Sequence, residues 1–136
     1  MRLTKRGQYA LKAMLDLALQ GGKLTSVRQI AHRQEIPLPF LEKILLELRQ
    51  AGLVTAQRGS KGGYTLGKSA KEISIRDILG AIGEGMTTPE SPEPLDMILN
   101  RRIHERIQDI LQQISLAELY YDLISQQAQS EATFIV

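Results

Sequence analysis

The stretch QRGSKGGYTL, residues 57–66, places two cationic side chains, Arg58 and Lys61, among three glycines. Glycines beside a lysine occur in loops that bind nucleotide phosphates, at the tips of β-hairpins and in basic fingers that contact nucleic acid. A nucleotide-binding loop needs a glycine directly before the lysine and a helix directly after the loop. Here Gly62 follows the lysine and a β-capable segment follows the loop, which argues against nucleotide binding.

The same stretch predicts a β-hairpin. LVTAQ and YTL are short β-capable segments, and they flank RGSKGG as a six-residue tip, residues 58–63. Glycine supplies the backbone angles that such a tip requires. The tip would present Arg58 and Lys61, and arginine suits a narrow minor groove because the electrostatic potential there is enhanced.

Groups suited to catalysis or metal binding are scarce in this chain. There is no cysteine, which excludes disulfides, thiolate metal sites and thiol catalysis. The two histidines, His32 and His104, are far apart in sequence, and neither has a ligand partner at metal-binding spacing. Because no nucleophile is paired with a base, we predict that the protein is not an enzyme and holds no cofactor.

Charge is distributed unevenly along the 136 residues. Residues 1–71 carry 13 Lys and Arg against 4 Asp and Glu, a net charge of +9, whereas residues 72–136 carry 4 against 11, a net charge of −7. Either the charge is scattered over a solvated surface, or the basic half binds a polyanion. No segment reaches the ~18 apolar residues of a membrane span, and no signal peptide is predicted, so we expect a cytoplasmic protein without a membrane partner.

Three amphipathic helices are predicted in the basic half. Thr4 caps the first, residues 4–20, and a capping box of Ser26 and Gln29 starts the second, which Pro37 ends. The third helix carries an inward apolar stripe: Leu41, Ile44, Leu45 and Leu48. Helices joined by a short connection and followed by a hairpin form a winged helix-turn-helix. Such a unit inserts the start of its third helix into the major groove of DNA.

This architecture predicts a set of DNA-contacting side chains. Phe40 would contact a thymine methyl or pack locally, Glu42 would accept from a cytosine amino group or pair with a cation, and Lys43 would contact a phosphate or a guanine. Cations near the N-terminus and the second helix are candidates for phosphate contacts. The predicted set is Arg2, Thr4, Lys5, Arg28, Pro39, Phe40, Glu42, Lys43, Arg58, Ser60, Lys61 and Tyr64.

In the acidic half, the sequence predicts a fourth helix at residues 74–83, a proline-rich linker at 84–94 and a long helix from Leu95. Apolar residues of the long helix recur in a heptad-like pattern, which favours a dimer interface. The predicted interface residues are Leu99, Ile103, Ile107, Ile110 and Ile114. Two alternatives stay open: the pattern packs within one chain, or a capping box at residues 115–118 breaks the helix near Ile114.

Four motifs, MRLTKRGQYALKAMLDLAL, LPFLEKILLELRQAGLV, RGSKGGYTL and ISLAEL, together resemble the Rrf-two family of bacterial transcription regulators. The resemblance covers nearly the whole chain. It implies a mainly α fold with a small β-hairpin: a winged helix-turn-helix domain at 1–83, a linker or effector loop at 84–94 and a helical dimerisation region at 95–136. It also implies a homodimer on a pseudo-palindromic DNA operator, with Arg58 as the wing arginine.

The chain departs from the family pattern at the cofactor site and at the third helix. Cluster-binding members carry three cysteines before the dimerisation helix, whereas GMTTPESPEPLDMIL has none and Met97 occupies the family's histidine-ligand position. An iron–sulphur cluster needs thiolate or equivalent ligands, so the usual cluster cannot form. Pro37 and Pro39 replace small polar residues at the helix start, so the family's operator sequence does not carry over.

The main hypothesis is a DNA-binding transcriptional regulator, a repressor, that forms a homodimer on double-stranded DNA without the usual cluster. A protein or a small molecule would be its effector. One alternative is a winged-helix module whose hairpin docks onto an acidic protein. Another is a sensor with unusual metal ligands.

Overall fold

A computed structural model describes residues 2–83, 86–87 and 91–135. The elements within these ranges are, in chain order, β1 Arg2–Leu3, α1 Lys5–Leu19, α2 Val27–Gln34, α3 Leu38–Gln50, β2 Val54–Gln57, β3 Gly63–Leu66, a 3-10 helix Ala70–Glu72, α4 Ile75–Ile82, β4 Met86–Thr87, α5 Pro94–Gln113 and α6 Leu116–Ile135. The fold is mainly α with a small antiparallel hairpin, as predicted. None of the helices in these ranges has the length and apolarity needed to cross a bilayer.

Helices α1 to α4 surround one apolar core, and their starts follow the predicted caps. The Thr4 hydroxyl accepts from the Gly7 N–H at 3.0 Å and begins α1. At α2, Ser26 and Gln29 each accept from the other's backbone N–H, completing the capping box. The predicted inward stripe of α3 is at most 1% exposed. Burial of this stripe fixes which side of α3 faces outward.

The connection between α2 and α3 is short and shaped by unusual backbone. Helix α2 ends at Gln34, earlier than the predicted stop at Pro37, because Glu35 takes a left-handed conformation with φ 53°. Pro37 instead occupies the N-cap position of α3 without a side-chain capping hydrogen bond, and Pro39 lies in the first turn. A proline there has no N–H to leave unpaired, and its fixed φ suits a helix start. This connection completes the helix-turn-helix.

Strands β2 and β3 form the wing. Gln57 pairs with Gly63, so the tip is residues 58–62, one residue shorter than predicted. A side chain at Gly63 would meet the Thr25 carbonyl oxygen, because a Cβ there would lie only 2.7 Å from it. Thr25 approaches so closely because it exchanges backbone hydrogen bonds of 3.0 and 2.7 Å with Tyr64. The wing is thereby attached to the chain just before α2.

The N-terminal arm is held by a pairing between distant segments. Strand β1 pairs antiparallel with β4, with Arg2 opposite Thr87. Of the predicted linker at 84–94, residues 84–85 and 88–90 lie outside the described residues. The short described part includes β4, so the segment after α4 returns to the start of the chain.

The predicted long C-terminal helix is two helices. Ile114 has extended backbone, φ −95° and ψ 118°, and separates α5 from α6. Ser115 then begins α6 by accepting from the Glu118 N–H at 3.1 Å. Backbone hydrogen bonds around a bridge between Ser74 and Ser115 fasten this break to the start of α4. The alternative of a break near Ile114 is therefore confirmed.

Candidate nucleic-acid interface

The outward face of α3 forms the centre of the candidate interface. Residues three, four and seven apart share one face of a helix. The exposed residues on the side opposite the buried stripe are Pro39, Glu42, Lys43, Leu46, Arg49 and Gln50. The first three were predicted from the start of the helix. The last three were missed, although the complement of the inward stripe would have identified them.

Phe40 is held by an aromatic contact with α1. Its ring lies 6.5 Å from the Tyr9 ring, with an angle of 53° between the planes, an arrangement that aromatic pairs favour. The Lys5 ammonium lies 5.4 Å from the centre of the Tyr9 ring, within reach of a cation–π attraction. Local packing is thus one role of Phe40, which remains 57% exposed. Tyr9, which was not predicted, brings Lys5 close to the start of α3.

Two ion pairs fix α3 and α2 against α1. Arg6 donates to both carboxylate oxygens of Glu47 at 2.7 and 2.6 Å, joining the start of α1 to α3. Asp16 is 1% exposed, and it accepts from the Arg33 guanidinium at 3.0 and 2.8 Å and from the Gln34 amide at 3.1 Å. The hydrogen bond to Asp16 raises the pKa of Arg33 above its ordinary value, against the opposing effect of burial.

These pairs also shape the electrostatics of the basic half. Asp16 and Glu47 are two of the four acidic residues among residues 1–71, and both are paired with arginine. Paired opposite charges cancel locally, so the other eleven Lys and Arg dominate the potential around this half. Glu42 is an exposed carboxylate on the outward face of α3 itself.

The remaining predicted site residues fall into an exposed group and a structural group. Arg2, Arg28 and the wing-tip residues Arg58, Ser60 and Lys61 are exposed. Thr4 uses its hydroxyl to cap α1. Tyr64 is partly buried against the core, and its backbone holds the wing in place. Thr4 and Tyr64 therefore stabilise α1 and the wing, the elements next to the exposed Lys5 and the wing-tip cations.

The predicted dimer residues divide between two environments. Leu99, Ile103 and Ile110 are 53%, 47% and 56% exposed, whereas Ile107 and Ile114 are partly buried and pack against the core. Ile107 and Ile114 thus contact their own chain, and the part that all five residues play in a dimer interface stays a prediction. Leu95, 76% exposed and four residues before Leu99, extends the exposed side. The exposed α5 face is defined here as Leu95, Leu99, Ile103 and Ile110.

The donor set does not fit an iron–sulphur cluster ligated by thiolates, since the sequence contains no cysteine. Within the ranges that the structure describes, no three His, Asp or Glu residues group closely enough to hold a metal ion. Met97, which the family resemblance predicts to stand at the histidine-ligand position, is 58% exposed on α5.

The chain matches one protein family and is similar to several transcriptional regulators. The family model for Rrf2, described as an iron-dependent transcriptional regulator, matches residues 3–122. The chain is 42% identical over 147 aligned residues to slr0846 of Synechocystis, named as an HTH-type transcriptional regulator, with 100% of both chains covered. It is 39% identical over 129 residues to the HTH-type transcriptional regulator IscR of Erwinia tasmaniensis, covering 88% of this chain and 78% of that protein.

Two solved structures have the same fold. IscR of T. potens superimposes with a TM-score of 0.75 at 30% identity, covering 90% of this chain and 88% of the other. CymR, the global cysteine regulator of B. subtilis, superimposes with a TM-score of 0.72 at 30% identity, covering 89% and 97%. Both likenesses extend beyond the winged domain.

Proposed function

Because the chain belongs to the Rrf2 (Rrf-two) family of DNA-binding transcriptional regulators, we propose that it represses transcription as a homodimer on a pseudo-palindromic operator. The observation that carries the proposal is the exposed outward face of α3, with its charged residues Glu42, Lys43 and Arg49, in the half of the chain with a net charge of +9. The same half of the chain also carries exposed cations on β1, α1, α2 and the wing tip. We propose no catalytic activity, and we expect the protein to act in the cytoplasm.

In this proposal α3 lies in the major groove and the wing tip contacts the backbone or the minor groove. Glu42 would accept from a cytosine amino group, and Lys43 would donate to a guanine or a phosphate. Phosphate contacts come from Arg2, Lys5, Arg28, Ser60 and Lys61. Four predicted residues would support the interface rather than read the DNA. Thr4 caps α1, Phe40 packs on Tyr9, Tyr64 holds the wing through its backbone, and Pro39 lies in the first turn of α3.

The exposed α5 face supports the homodimer. Four large apolar side chains on one helical face, each 47% to 76% exposed, form a surface that monomeric proteins seldom leave to water. A second copy that covers this face would present two α3 helices to the two half-sites of one operator. In helix-turn-helix dimers the half-sites lie about one DNA turn, ~34 Å, apart.

The effector is proposed to be a protein or a small molecule. The family is described as iron-dependent. In this chain that dependence cannot rest on a thiolate-ligated iron–sulphur cluster, because the chain has no cysteine.

Arg58→Ala is expected to weaken operator binding by about 1–3 kcal/mol, a factor of about 5–150 in Kd. The reason is that a wing arginine in a narrow minor groove loses both charge and fit when it is truncated. Fluorescence anisotropy titration at fixed salt measures the change. Arg76→Ala on α4, another exposed arginine, is the matched control, and an Arg58→Ala variant that binds like this control would remove the wing assignment.

The experiment for the function as a whole is selection of bound duplexes from genomic DNA. We expect an enriched sequence with two inverted half-sites about one DNA turn apart. Binding without sequence preference would instead favour a winged-helix module that docks onto an acidic protein.

A further inference from the structure

Leu46 is an exposed apolar side chain on the surface proposed to meet DNA. Helix α3 buries its other central leucines completely, with Leu41, Leu45 and Leu48 each at 0% exposure, whereas Leu46 is 52% exposed. The core therefore does not use this side chain, and water faces it in the free protein. Covering an apolar group in that position with a partner is favourable, because it removes apolar surface from water.

The position of Leu46 on α3 aligns it with the proposed base-reading residues. It lies three residues after Lys43, four after Glu42 and seven after Pro39. These are the spacings that place side chains on one face of a helix, so Leu46 continues the same row by one turn. Four residues span about 6 Å of helix, so a base contacted by Leu46 would lie within about two base-pair steps of one contacted by Glu42.

The chemistry of the major groove defines what Leu46 can recognise. Three of the four bases present only hydrogen-bonding groups there, and thymine adds a 5-methyl group. A leucine makes no hydrogen bond, but it can bury that methyl. Glu42, Lys43 and Leu46 would then read three different features: a donor, an acceptor and a methyl group.

Phe40, also exposed, is less suited to this role. Its ring already contacts Tyr9, so part of its apolar surface is engaged inside the protein.

We propose that Leu46 is a specificity-determining residue that packs against a thymine methyl in each half-site of the operator. The inference rests on the proposed function, because it requires that α3 enters the major groove. It adds a readout that neither the charge pattern nor the start of the helix indicates.

The test replaces each thymine of the selected operator in turn by deoxyuridine, which removes only the methyl group. The wild-type protein is expected to lose about fourfold in affinity at one thymine position, and about fifteenfold when both half-sites carry the change, from the burial of one methyl at each. Leu46→Ala should bind the unmodified operator more weakly and respond less than twofold to the same replacement. Alanine suits an exposed helix position, and circular dichroism checks that the variant is folded.

Leu19→Ala is the matched control, since Leu19 is 56% exposed on α1, and it should retain the wild-type response to deoxyuridine. The inference is overturned if no thymine replacement affects the wild-type protein, or if Leu46→Ala keeps the wild-type methyl discrimination. Either result would leave operator binding, and so the proposed function, intact. Failure of the wild-type protein to prefer any duplex would instead overturn the proposed function, and the inference with it.

Discussion

Ile103→Glu is expected to convert the proposed dimer into a monomer and to lower operator affinity by a factor of about 100 or more. Ile103 lies in the middle of the exposed α5 face and is 47% exposed in one protomer. A second copy packed on this face would bury the new carboxylate without a partner, at a cost of several kcal/mol. The isolated protomer leaves the carboxylate in water, so its fold should survive.

The loss of affinity follows from the loss of bivalent binding. In a dimer the second α3 reaches its half-site at the high effective concentration set by the first, an advantage of about 10²–10⁴ that a monomer lacks. Sedimentation equilibrium measures the assembly, and anisotropy titration measures the affinity. Leu19→Glu introduces the same charge at an exposed apolar residue of α1, outside the exposed α5 face, and should remain dimeric. If Ile103→Glu stays dimeric with wild-type affinity, the exposed α5 face is not the dimer interface.

Arg33→Ala should lower the free energy of unfolding by about 2–3 kcal/mol. Removing one partner of a buried ion pair typically costs about 3–5 kcal/mol, because the remaining charge loses its compensation. The Asp16 side chain is 0% exposed, but that of Arg33 is 35% exposed, and water shares in the pairing, which reduces the expected cost. Gln34 would still donate one hydrogen bond to Asp16.

Urea denaturation of two further variants separates the ion pair from general effects on α2. Arg28→Ala removes an exposed arginine from the same helix and should change stability by no more than about 0.5 kcal/mol. Adding Asp16→Asn to Arg33→Ala removes the uncompensated charge and should restore part of the loss. Wild-type stability of Arg33→Ala would show that this pair does not hold α2 against α1.

Much of the winged domain could be predicted because its signals are local. Capping depends on residues three apart, such as Ser26 and Gln29, and both halves of that box are present. The inward stripe of α3 follows from helical period alone, and all four of its members are buried. The wing follows from two short strands around glycines, with an error of one residue at Gly63.

The contacts that orient these elements could not be predicted, because their partners are distant in sequence. Arg6 and Glu47 are 41 residues apart, and Asp16 and Arg33 are 17 apart. The apolar period of α5 is the same whether a residue faces a second copy or its own chain. Helical period therefore does not separate Ile107 and Ile114, which pack on the core, from Ile103, which is exposed.

The most direct test of the central claim is an anisotropy titration of the wild-type protein against the selected operator and a shuffled duplex of the same composition. At near-physiological salt we predict a preference of about 10³ or more for the operator. We also predict a steep loss of affinity as salt rises, because neutralised phosphates release their counterions. Equal affinity for the two duplexes, or no binding to either, would contradict the assignment of this protein as a sequence-specific DNA-binding regulator.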